Sequence, residues 1–299
     1  MNLNIIFLLL ASAIWGFGFI STRWSLTAFD PYWVNALRFA LAGILGIPFL
    51  IYKKSFWRKK NVLVKAMISS VFLLGTLLFQ TLGLSITTVA KSGFITTLYA
   101  LFVPLIMIGV SGKKYRSTYW LLILLALFGI ALMCNLEVKD LNEGDFLTLL
   151  CAISAALHIL YISHISAKID SAIEFNFLQS FFTAIFSVVI AFIFRGPVNL
   201  TPLLDVQSLA VRGLLFLGIV SSMISFTIQV VAQKKVPAHI AGLIFLMESP
   251  FAAVFGYLVF NEVLNPLNML GAALIMSSVL LVPVFGRDVT TSESRRSSH

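Results

Sequence analysis

Ten apolar stretches of near-spanning length follow one another with only short polar breaks between them, and no water-soluble fold accommodates that pattern. The first five runs fall near 3–21, 33–52, 62–84, 91–110 and 119–135, and five more near 145–166, 172–194, 209–232, 239–260 and 266–285. A helix needs about 20 mostly apolar residues to cross the hydrocarbon core, so a chain of 299 residues holds ten spans, short connections and no separate soluble domain. Only 11% of the residues are charged, less than half of the roughly 25% usual in soluble domains. Mean hydropathy is +0.99. These features predict an all-α integral membrane protein of ten transmembrane helices.

The formal charge of +9 does not point to nucleic acid, because the cations sit in short clusters between apolar runs, where the positive-inside rule accounts for them. With a cytoplasmic N-terminus, the even-numbered connections and the tail hold Lys53, Lys54, Arg58, Lys59, Lys60, Lys113, Lys114, Arg116, Lys168, Lys234, Lys235, Arg287, Arg295 and Arg296. The odd-numbered connections hold only Arg23, Lys91, Lys139 and Arg195. Both termini are therefore predicted to be cytoplasmic. A cleaved signal peptide is not expected: Ala11-Ser12-Ala13 resembles a cleavage site, but Met1 to Asn4 carry no cation and the apolar run continues through Trp15 and Phe19. The serine-rich segment 287–299 reads as a disordered tail. Cys134 and Cys151 lack CxxC spacing and read as small packing residues rather than a disulfide or a metal site.

The two sets of five runs match each other at a nearly constant offset. Asn35-Ala36-Leu37-Arg38 falls on Asn176-Phe177-Leu178-Gln179, Val64-Lys65 on Val211-Arg212, Phe79 on Phe226 and Pro104 on Pro250. Residues 1–136 and 145–286 are thus expected to be duplicates. Because five is odd, the second copy must insert upside down, giving an inverted 5+5 repeat. In that architecture a ligand site lies near the midplane between the halves.

Polar side chains facing lipid are costly, so polar stripes at helical spacing mark faces turned toward a cavity or another helix. Such stripes are Asn35 and Arg38 in the second run, Thr76, Gln80 and Gly83 in the third, and Ser92, Thr96 and Tyr99 in the fourth. In the second half they are Ser154, His158 and Tyr161, then Asn176, Gln179 and Thr183, then Ser222, Ser225 and Gln229. Serines and threonines also serve as helix-helix glue, whereas a glutamine is expensive to bury without a partner. The fifth run has no hydrogen-bonding side chain between Leu121 and Met133 and is expected at the lipid-facing edge. Glu248 lies nine residues beyond His239, or roughly 14 Å along a helix, near mid-bilayer. A carboxylate there needs a partner or a proton. Arg38 could meet an anionic group, pair with Glu248 or snorkel to the outer surface, and His158 could titrate or simply hydrogen-bond a neighbour. Lys65 and Arg212, near span ends, read as snorkelling. The sequence has no HExxH, no GxSxG and no pair of intramembrane aspartates, so a membrane-embedded enzyme finds no support.

The run FQTLGLSITTVAKSGFITTLYALFVPL from Phe79 to Leu105, the Trp15-Gly16 pair and the arginine in NALRFALAG resemble the first half of EamA-type members of the drug/metabolite transporter superfamily. LGIVSSMISF and AGLIFLMESPFAAVFGYLVFNEVLNPLNMLGAALI, with Glu248-Ser249-Pro250 and Glu262, resemble the second EamA repeat. The resemblance implies EamA repeats over 1–136 and 145–286, with a central cavity lined by spans 1–4 and 6–9. Spans 5 and 10 would pack at the back. It also implies a secondary transporter of the inner (plasma) membrane, moving an amino acid, amine, nucleotide-linked compound or drug by alternating access, in export or exchange. A lipid-carrier flippase is the alternative. The expected ligand contacts are Trp15, Arg38, Gln80, Tyr99, His158, Tyr161, Gln179, Gln229 and Glu248. Pro104 and Pro250 are the expected hinges. The partners are a small-molecule substrate, the bilayer and protons through Glu248, with no cofactor, metal or catalytic residue. One departure stands out: the first repeat has Lys113 where the family usually carries a glutamate, whereas Glu262 is present in the second.

Overall fold

The computed structural model describes residues 3–53, 60–87, 89–133, 142–260 and 265–285. The tail 287–299, Cys134 and Glu262 lie outside them. The first half comprises α1 (Leu3–Ser25), α2 (Pro31–Lys53), α3 (Lys60–Leu84), α4 (Val89–Thr97), α5 (Tyr99–Ser111) and α6 (Ser117–Met133). The second comprises α7 (Glu143–Ile165), α8 (Ala172–Arg195), α9 (Leu209–Leu215), α10 (Phe226–Gln233), α11 (Ala238–Phe245), α12 (Glu248–Phe260) and α13 (Pro266–Phe285). A π-helical segment, Phe216–Ser225, joins α9 to α10. Eight helices among the described residues are long and apolar enough to cross a membrane, with α4–α5, α9–α10 and α11–α12 each making one interrupted span. The fifth and tenth runs give shorter apolar helices.

The second half starts its helices with local signals. At α7 the Asn142 side chain accepts from the Asp145 amide at 3.0 Å while Asp145 accepts from the Asn142 amide at 3.1 Å, a reciprocal cap. Ser171 and Ser208 cap α8 and α9 one way, their hydroxyls accepting from the Glu174 and Val211 amides at 3.3 Å.

The packing treats the halves alike. α2 lies along α8 and α6 along α13, each joining counterparts, while α3 on α7 is mirrored by α1 on α9–α10. The α6–α13 crossing is made by one glycine from each half: a Cβ on Gly129 would sit 2.6 Å from the Gly271 carbonyl oxygen and 3.0 Å from Leu274 Cβ. Close backbone approach of this kind is how apolar helices associate without a hydrophobic drive. Ser278 Oγ donates to Leu122 O at 2.8 Å across the same crossing, and the opposite face of α6 exposes Leu121, Leu124 and Phe128. Gly129→Ala should therefore lower the melting temperature of the purified protein by roughly 5 °C, a strain of about 2 kcal/mol. Gly109→Ala, where a Cβ meets nothing within 4 Å, should leave it unchanged or raise it slightly.

Two spans are broken near their middles. The fourth is interrupted at Leu98, where the chain tightens through Leu98 N to Ile95 O and Leu101 N to Leu98 O bonds. The ninth is interrupted at Leu246–Met247, again with i→i−3 bonds, to Leu243 O and Ile244 O. Pro250 has no amide hydrogen for the Leu246 carbonyl and its ring crowds that oxygen, which accounts for the position of the second break. The break at Leu98 lies farther ahead of Pro104, which stands inside α5. The segments after the breaks begin with Tyr99 and Glu248.

Candidate functional site

These two residues meet. The Tyr99 hydroxyl donates to Glu248 Oε1 at 3.4 Å, and among the described residues no other hydrogen bond or ion pair holds the Glu248 carboxylate. Both line a central cavity of about 70 Å3 between the two halves. The first half contributes Trp15, Gly18, Phe19, Thr22, Arg38, Thr76, Leu77, Gln80, Thr96 and Tyr99. The second contributes Ala155, His158, Ile159, Leu217, Ser221, Phe226, Gln229, Phe245 and Glu248. α1 reaches this depth because Gly16 lets it touch α12, where a Cβ would lie 2.9 Å from the Glu248 carbonyl oxygen. Trp15 then packs between Phe226 and Phe245, ring centroids 5.2 and 4.8 Å away.

Arg38 is 3% exposed. Its Nε donates to Ser222 Oγ at 3.1 Å and its Nη2 to Ser221 Oγ at 2.9 Å, leaving Nη1 without an acceptor among the described residues. Adjacent serines can both face one guanidinium because they lie in the π-helical segment, whose wider turn carries two neighbours onto one side.

A second polar chain runs behind the cavity, and the main chain fixes its direction. Asn176 Nδ2 donates to the carbonyls of Ser222 (3.0 Å) and Met223 (2.8 Å), so its Oδ1 must accept from Gln179 Nε2 at 3.3 Å. Gln179 Oε1 is then turned toward Ser69 Oγ and His158 Nε2, the latter at 3.1 Å. An amide oxygen only accepts, so His158 donates from Nε2 and, when neutral, keeps Nδ1 as an acceptor. Gln229 is set likewise: Gln233 Nε2 donates to Ile159 O at 3.0 Å, Gln229 Nε2 donates to Gln233 Oε1 at 2.9 Å, and Gln229 Oε1 is left buried without a partner. Trp15 Nε1 is also buried and unpartnered.

Of the ligand contacts expected from sequence, Trp15, Arg38, Gln80, Tyr99, His158, Gln229 and Glu248 line the cavity. Gln179 stands behind His158 as its orienting partner, and Tyr161 packs instead on Phe72, centroids 5.8 Å apart. Arg38 and Glu248 do not pair with each other, nor does Arg38 snorkel. Phe19, Thr22, Leu217, Ser221, Phe226 and Phe245 were not expected. The apolar ones carry no signal separating a cavity wall from a core, although Ser221 is adjacent to the recognised Ser222.

The EamA-like transporter family model matches this chain twice, over residues 2–135 and 142–283. The chain belongs to the EamA-like transporter family. An uncharacterized transporter of Archaeoglobus fulgidus is 30% identical over 275 residues, covering 92% of this chain and 84% of the relative. An S-adenosylmethionine uptake transporter of Rickettsia bellii is 25% identical over 261 residues, covering 86% and 84%. A solved crystal structure shares the fold with a TM-score of 0.71 at 18% identity, over 95% of this chain and 96% of that one. This EamA protein is a multi-pass membrane transporter, not an enzyme.

Proposed function

We propose that this chain is a secondary transporter of the inner membrane, moving a small metabolite by alternating access, in export or exchange. The carrying observation is the pair of broken spans meeting at the cavity through Tyr99 and Glu248. On one side of the breaks, α5 packs against α11, and Ser12 Oγ on α1 donates to the Ile244 carbonyl at 3.3 Å. No comparable packing joins α4 to α12 among the described residues. With ten spans, an inverted repeat over 1–136 and 145–286, and both termini cytoplasmic, the packed side is the cytoplasmic one and the cavity faces outward. Rocking the halves would close α4 on α12 and separate α5 from α11. The exchange of α3–α7 for α1–α9–α10 supports the inversion.

Proteoliposome flux with amino acids, amines, nucleotide-linked compounds including S-adenosylmethionine, and dyes tests the assignment. No flux of any of them would overturn it. Protons are the proposed coupling ion: the Glu248 carboxylate is buried with only the Tyr99 hydroxyl on it among the described residues, a setting that favours taking up a proton when no cation is bound. Glu248→Gln should abolish the acceleration of flux by a pH gradient, and unchanged gradient-driven flux would refute the coupling.

A further inference from the structure

The cavity holds two buried ionisable side chains, an arginine and a glutamate, that do not pair. The Arg38 guanidinium and the Glu248 carboxylate line the same space, yet no nitrogen-oxygen approach within 4.0 Å joins them. In a low-dielectric interior, opposite charges free to meet would do so. Each is held by a neighbour from the other half, Arg38 by the serines of the π-helical segment and Glu248 by Tyr99. The uncharged groups are polarised too. Among the described residues Gln229 Oε1 and Trp15 Nε1 are buried without a partner, while the bond to Gln179 leaves His158 Nδ1 as an acceptor and the two serines leave Arg38 Nη1 as a donor. Buried polar atoms left unmatched are costly. Together they describe a ligand's negative image: an anionic acceptor for Arg38 and Trp15, and a cationic multi-donor for Glu248, Gln229 and His158.

We propose that the cavity binds a zwitterion, with a carboxylate at Arg38, an ammonium or comparable N–H cation at Glu248, and an unsaturated body against Trp15, Phe226 and Phe245. This rests on the transporter assignment for its purpose but is tested by binding alone. A ligand bearing only one of the charges leaves the other side chain without its counter-group, so it binds more weakly than the zwitterion. A rigid-body exchange of the halves then carries a ligand with no net charge, lowering the electrostatic barrier to crossing.

The test is thermal unfolding of the purified full chain in detergent with matched probes. These are phenylalanine, phenethylamine and 3-phenylpropionate, then S-adenosylmethionine and its decarboxylated form. The expected result is that at least one zwitterion stabilises the protein at a concentration tenfold or more below that needed by its singly charged analogues. Arg38→Gln should remove the preference over the amine, and Glu248→Gln the preference over the acid. Stabilisation by an amine or acid as strong as by its zwitterion, or by no probe in either set, overturns the proposal. Flux of a singly charged compound in proteoliposomes would leave the transporter assignment standing in that case, whereas no flux of any compound tested would remove both.

Discussion

Arg38→Met is expected to reduce flux of the transported compound at least roughly 30-fold while leaving the protein as stable as before, or more so. Truncating one side of a desolvated charge contact costs about 2–5 kcal/mol, and each ~1.4 kcal/mol is a factor of ten. In the ligand-free protein the guanidinium rests on two neutral hydroxyls, not on a carboxylate. Removing it therefore strands no counter-charge, and burying an arginine without an anion is itself unfavourable. Methionine fills the stem's volume, and both serines can turn back to the carbonyls of their own helix. Arg38→Lys should be intermediate, because an ammonium cannot reproduce the planar fork that bonds both serines and a ligand at once. Flux and melting temperature are to be measured on one preparation. A falling melting temperature with flux retained would make Arg38 a structural residue.

The polar positions of the cavity were legible because a spanning helix has few reasons to carry them. Arg38, Glu248 and Gln229 are conspicuous in runs of Leu, Ile and Phe, and seven of the expected contacts do meet in space. What the sequence could not supply was local departure from a regular 3.6-residue helix. The stripe of Ser154, His158 and Tyr161 assumes a cavity-facing strip wide enough for three residues, but α7 also packs along α3. Tyr161 falls on that side, against Phe72. Ser221 was missed because the π-helical turn shifts the register, bringing a second serine onto Arg38. The prolines marked the two broken spans, but the breaks themselves lie N-terminal to them, at Leu98 and Leu246–Met247. Residues such as Phe226 and Leu217 line the cavity without any chemical distinction from core.

Asn176 touches no part of the cavity, yet Asn176→Leu is expected to change what His158 offers there. The near-isosteric leucine removes the donors to Ser222 O, Met223 O and Thr227 Oγ1 and the acceptor for Gln179 Nε2. Thr227 Oγ1 still donates to Met223 O at 2.7 Å, so the main uncompensated groups are Ser222 O and Gln179 Nε2, a loss of about 2 kcal/mol or somewhat more. The larger consequence is directional. With Asn176 Oδ1 gone, nothing in the main chain fixes the Gln179 amide, which can rotate and donate to His158 Nε2. The ring proton then moves to Nδ1, and a ligand meets a donor where it needed an acceptor. Ligand affinity should fall roughly tenfold, the equivalent of about 1.4 kcal/mol. The decisive measurement is the ¹⁵N spectrum of histidine-labelled protein, in which the two ring nitrogens of neutral His158 are distinguishable by protonation. In the native chain Nε2 should carry the proton, and in Asn176→Leu a second tautomer should be populated. Thr183→Val provides the contrast: its hydroxyl bonds only the Gln179 carbonyl, at 2.7 Å, so that change should leave both the tautomer and the affinity as they were. If Asn176→Leu lowers stability but the His158 spectrum stays native, Asn176 braces the helices and does not orient the site.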